Sequence, residues 1–141
     1  MHVIKLSLLS LAFLTEAHNI AAADEGIDFF QQDFNSFASL DSFVQQYNLS
    51  NDDVFAECSA LIASALPILN LGSTELHEMN IDIYLRLERS QGGIARALVN
   101  AKAKKYVQSF SNHTTFTEKE SIVRRASKAI MMCRGFYHSV T

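Results

Sequence analysis

Tryptophan is absent from these 141 residues, proline occurs once, glycine five times and cysteine twice. So little proline and glycine argues against the many tight turns of a β-sandwich or barrel. Two cysteines cannot frame a disulfide-rich scaffold, and Cys58 and Cys133 stand too far apart for metal motifs built from neighbouring cysteines. The net charge is only −3 while 48% of the residues are apolar, which excludes a disordered chain. The length suits one domain with a real core, not two. Past the N-terminal region no apolar run approaches the roughly 20 residues needed to cross a bilayer.

The N-terminus has the three parts of a secretory signal. Lys5 is the positive charge, Leu6 to Leu14 the apolar run, and Ala21-Ala22-Ala23 an A-x-A cleavage site before Asp24. Glu16 ends the apolar run too early for a membrane anchor, and an earlier cut after Ala17 is the alternative. No cysteine near the cleavage site can carry a lipid. Residues 1–23 are therefore expected to be removed, leaving 24–141 as a single helical domain. An exported protein, periplasmic or secreted, is expected. In an oxidising compartment Cys58 and Cys133 have only each other as an intramolecular partner, so a disulfide is expected, against the alternative of two buried thiols. Asn48-Leu49-Ser50 and Asn112-His113-Thr114 match the glycosylation pattern, but eight asparagines produce about one such match by accident. They decide nothing.

Helical periodicity runs through the rest of the chain. Phe30, Phe34, Phe37, Leu40, Val44 and Tyr47 step by threes and fours, with Asp28 as an N-cap. Asp33 and Asp41 interrupt that stripe, so a break is expected with Asp41 capping a second short helix. Ser50-Asn51-Asp52-Asp53 opens the next segment, striped by Phe55, Cys58, Ile62, Ala65 and Leu69 and stopped near Pro67. From Glu75 to Phe110 the arc of Ile83, Leu87, Ile94 and Leu98 continues through Gly92-Gly93, which predicts one bent helix. Gly93, Ala97 and Ala101 have a spacing that suits tight packing. Thr117 and Glu120 form a capping box for the last segment, striped by Val123, Ala126, Ile130, Cys133 and Tyr137. The expected fold is all-α, a compact four-to-five-helix bundle whose second and fourth segments are joined by Cys58–Cys133.

Chemistry is harder to find. His77, His113 and His138 follow the leader, and none has the spacing of a zinc protease. Glu75, His77, Glu78 and Asp82 cluster, but acidic residues in a first helical turn answer the helix dipole without a metal. No nucleophile elbow, phosphate loop or haem attachment motif is present. A non-enzymatic protein with no metal and no cofactor is expected.

Charge is the informative feature. Asp24 to Asp82 carries eleven carboxylates and no lysine or arginine, a run of −11; Ile83 to Thr141 sums to +8. The acidic front half can neutralise the basic back half internally, or the basic face can meet an acidic partner. Arg86, Arg89 and Arg96 fall together opposite one apolar arc, and Arg124, Arg125 and Lys128 opposite another; these six are the candidate partner-binding residues. Nucleic acid fits poorly, since the chain is net acidic and has no base-reading motif. Membrane insertion after signal cleavage is not expected. The expected function is an interaction protein, of inhibitor, immunity, adaptor or chaperone type, binding another protein outside the cytoplasm. The alternative is a carrier of a small apolar ligand lined by Phe29, Phe30, Phe34, Phe37, Phe43 and Tyr47.

Overall fold

Among the described residues each helix but one starts where a small polar side chain caps the first free backbone donors. The computed structural model describes residues 27–32, 34 and 36–141; the leader and its cleavage site lie outside the described residues, as does Asp33. Asp28 Oδ1 accepts from the Phe30 and Gln31 amides and opens the single turn α1 (Phe29–Gln32). Ser36 caps α2 (Phe37–Gln46) in a reciprocal box with Ser39. Ser50 and Asp53 form the same kind of box at α3 (Asn51–Ile68). Ser73 caps α4 (Thr74–Gln91), Gly93 precedes α5 (Ile94–Ser111) without a side-chain cap, and Thr115 caps α6 (Phe116–Val140).

The break expected in the first segment is present, but its cap is Ser36. Asp41 sits inside α2, exposed, where its carboxylate accepts from Gln45. A serine in extended backbone reaches the amide three residues on, whereas Asp41 follows four residues already helical. The start of α6 is corrected in the same way. Thr115, not Thr117, accepts from the Glu118 amide, and the Glu118 carboxylate reaches back to the Thr114 amide. Pro67 stands one residue before the end of α3, as its missing donor requires.

The long third segment is two helices. Gly92 holds φ 69° and ψ −146°, a region open essentially to glycine alone, and it redirects the chain. The buried stripe of α5 is consequently Ala95, Val99, Lys102, Tyr106 and Phe110. Ile94, one position earlier, is 63% exposed. Gly93, Ala97 and Ala101 face solvent, so their spacing packs nothing. Gly92→Ala is expected to lower stability by about 1–3 kcal/mol through backbone strain alone, because its Cβ would meet no atom within 4 Å. Gly93→Ala, at helical φ −62°, should be neutral or slightly stabilising. Thermal melts of the two variants should shift in different senses; equal losses would show that space, not the backbone, decides.

The fold is an all-helical bundle, as expected from the periodicity. Among the described residues four helices of ten residues or more, α2, α4, α5 and α6, accompany α3, with the single turn α1 added; α2 packs on α6. Eleven of the eighteen α3 residues are buried, and α3 packs on α5, α4 and α6. Cys58 of α3 and Cys133 of α6 are disulfide-bonded with Cα atoms 5.6 Å apart and both side chains fully buried. No helix among the described residues is long and apolar enough to cross a membrane.

Candidate functional site

Burying a charge costs several kcal/mol unless an opposite charge meets it, so the buried ions of a small domain need accounting. Glu57 lies one residue before Cys58, on the part of α3 that faces α5, and is fully buried. Lys105 Nζ stands 2.6 Å from its Oε1 and Lys102 Nζ 3.2 Å from its Oε2. The Tyr106 hydroxyl donates to Oε1 and itself accepts the Phe29 backbone N–H at 3.0 Å. One carboxylate thus joins α3, α5 and the first described turn. Oε2 meets its lysine as an ion pair without hydrogen-bond geometry. Burial pushes the Glu57 carboxyl up, and the two ammoniums and the Tyr106 hydroxyl offset that only in part. Burial, then the Glu57 charge, drives the Tyr106 hydroxyl well above its ordinary value. Tyr106 therefore remains a donor.

This cluster joins the acidic half of the sequence to the basic half. Arg134 Nη2 to Glu75 Oε1, 2.5 Å, does so again at the surface. The segregated charges are therefore in part an internal pairing device, one of the two readings the sequence left open.

The six candidate partner-binding residues do not form one face. Arg86 Nε bonds Asp82 on its own helix at 2.9 Å, and Tyr137 of α6 donates to the same carboxylate oxygen at 2.6 Å. Arg125 reaches inward from α6, donating to the Phe30 carbonyl at 2.6 Å with its guanidinium 4.3 Å from the Phe30 ring centre. Tyr137 lies twelve residues beyond Arg125 on one helix, a rise of about 18 Å. Arg86, bonded to Asp82 beside Tyr137, and Arg125 thus stand apart along α6 by about that rise. Arg89, Arg96 and Arg124 are exposed, and Lys128 is partly buried with an interaction of its own.

Hydrogen bonds from Tyr137 and Arg86, in that order, hold the Asp82 carboxyl below the usual aspartate range. A lowered carboxyl contributes stability above its ordinary value of 3.8, and the contribution is lost as the pH falls below it. Tyr137→Phe should cost about 0.5–1 kcal/mol at neutral pH, a discounted figure because the site is solvent-screened. Melting the variant and the parent in parallel should show the gap closing once Asp82 is protonated. A gap that persists in acid would assign the loss to packing.

A second feature lies between helices α4 and α5. The open groove there has a volume of about 520 Å³. Its floor includes Ser59 and Ala63 of α3, and its walls include Ile81 and Leu85 of α4 and Val99 and Asn100 of α5. Ile81 and Leu85 are 47% and 46% exposed. Asn80 also lines the groove, and its buried Oδ1 accepts no hydrogen bond. Glu88 and Arg96 complete the lining.

Neither family models, curated proteins nor solved structures match this chain. Its own geometry must carry the functional reading.

Glu57 and Lys102 escaped the sequence reading because both occupy helical positions that a wheel assigns by apolar neighbours. A signal was present nonetheless: Glu57 lies beside Cys58 on the stripe and is the only charged residue from Val54 to Leu69. The carboxylates Glu75, Glu78 and Asp82 were noted as a cluster, and the structure engages Glu75 with Arg134 and Asp82 with Arg86 and Tyr137. Among the described residues no group of three or more ligating side chains is placed to hold a metal ion.

Proposed function

We propose that the chain is a small exported interaction protein that binds another, acidic protein outside the cytoplasm. The observation that carries this reading is what remains of the basic half once its internal contacts are drawn. Lys102, Lys105 and Arg134 meet Glu57 and Glu75, and Arg86 meets Asp82. Arg89, Arg96 and Arg124 stay at the surface. Exposed like charges concentrate an oppositely charged partner and steer its approach. The disulfide supports an oxidising compartment, and with it the reading of residues 1–23 as a cleaved leader. The carrier alternative draws less support. Phe29, Phe34 and Phe43 are in edge-to-face contact at 5.3–6.3 Å between ring centres, and Phe30 packs on Phe110 at 5.2 Å. Those rings fill space against one another.

Affinity capture from an envelope extract, followed by binding measurements with the purified captured protein, tests the reading. Reversing Arg89, Arg96 and Arg124 to glutamate should weaken that binding about tenfold or more and flatten its salt dependence. Unchanged affinity in a variant with the parent's circular dichroism spectrum would remove the basic surface from the mechanism.

A further inference from the structure

A groove walled by apolar side chains and edged by cations selects for a segment that carries both apolar groups and carboxylates. On α4, Ile81, Leu85 and Arg89 follow one another at four-residue steps, so they share a line along the helix. On α5, Arg96, Asn100 and Lys104 do the same. The first two members of each line border the groove. The third member of each continues past it as an exposed cation, Arg89 on one side and Lys104 on the other. Glu88 is the one carboxylate in the lining, and it is engaged with the Tyr84 hydroxyl, whose pKa it helps to raise after burial.

The wall also holds an unmet acceptor. Asn80 Oδ1 is buried without a hydrogen bond, and an unsatisfied buried polar atom is costly. Turning that amide toward the groove exposes the oxygen to a donor placed there. Ser59, almost fully buried, lies on the same floor.

We propose that the α4–α5 groove is the seat of an acidic, partly apolar peptide segment of the partner protein. Its apolar side chains fill the space between Ile81, Leu85 and Val99. Its carboxylates meet Arg96 and Arg89, and one N–H donates to Asn80 Oδ1. This rests on the reading of the chain as an interaction protein and narrows it to one face, leaving Arg124 outside the contact. Positive charge on both rims sets the sign of the occupant; a second copy of the chain would bring the same cations against them.

The probe is an acetylated, amidated decapeptide of alternating leucine and glutamate, with leucine–lysine and serine–glutamate decapeptides as controls. Binding is followed by NMR on the disulfide-bonded protein, reading the Asn80 side-chain amide and the Ile81, Leu85 and Val99 methyls. The leucine–glutamate peptide should shift those signals together, and both controls should bind about tenfold more weakly or not at all. Leu85→Ser and Arg96→Glu should each weaken the probe about tenfold, while Lys119→Glu, at the exposed start of α6, should stay within about twofold. Shifts confined to α6, or a loss with Arg124→Glu and none with Arg96→Glu, would overturn the groove while leaving the interaction reading standing. Equal binding of the leucine–lysine peptide would overturn the acidic preference. No binding of any probe would overturn the groove as a peptide seat, and the capture experiment would then decide the broader reading separately.

Discussion

Glu57→Gln is expected to destabilise the protein by about 3–5 kcal/mol, the usual cost of stripping one partner from a buried ion pair. The substitution keeps size and an acceptor for Tyr106, so what it removes is the charge between Lys102 and Lys105. Lys105 is 25% exposed along its side chain and can turn toward water; Lys102 is 5% exposed and cannot do so without unpacking α3 from α5. Chemical denaturation of the variant and the parent reads the loss. A loss below about 1 kcal/mol would mean that Lys102 is hydrated or re-paired when Glu57 is neutral. The double variant Glu57→Gln, Lys102→Met removes the stranded ammonium while keeping the acceptor for Tyr106. It should recover most of what the single change loses, since no buried charge is then left without a partner at Lys102.

The second large effect belongs to the disulfide. Cys58 and Cys133 close a loop with a sequence separation of 75, for which the chain-entropy account gives about 4–5 kcal/mol, within a usual range of about 2–5 for native bridges. Cys58→Ala with Cys133→Ala should therefore lower the denaturation midpoint sharply while leaving the far-ultraviolet circular dichroism of the folded state unchanged. The same shift should follow reduction of the parent protein, which alters no packing volume. If the alanine variant falls and the reduced parent does not, the loss is a cavity between α3 and α6, since both sulfurs are fully buried. The bridge and the Glu57 cluster hold different neighbours, since adjacent residues on α3 point one to α6 and the other to α5. Stapled on two sides, α3 is the fixed floor under the proposed groove.

Local chemistry announced much of this fold. The capping serine Ser50, the stop at Pro67, and the stripes that carry Cys58 and Cys133 all act within a turn or two of helix, where residue spacing translates directly into shared faces. The disulfide followed from there being two cysteines, both on core-facing stripes. Where the reading failed, one residue usually mattered. The backbone of Gly92 turned one expected helix into two and shifted the buried stripe of α5 by one position, from Ile94 to Ala95. Ser36 and Thr115 outcompeted Asp41 and Thr117 as caps because they precede the first helical turn, and a wheel does not say where a helix begins.

The candidate site was less legible for a deeper reason. The sequence by itself determined an all-helical chain, a cross-link and a sharp separation of acidic from basic halves, all properties of order along the chain. Which opposite charges meet depends on distances between helices that no periodicity encodes. Only the tertiary structure placed Glu57 against Lys102 and Lys105, at separations where water is excluded and the pairing becomes obligatory. It likewise divided the five arginines and one lysine expected to act together, engaging Arg86 with Asp82 on its own helix and turning Arg125 inward onto Phe30. And it left a groove walled by α4 and α5, two helices that the periodicity had read as one.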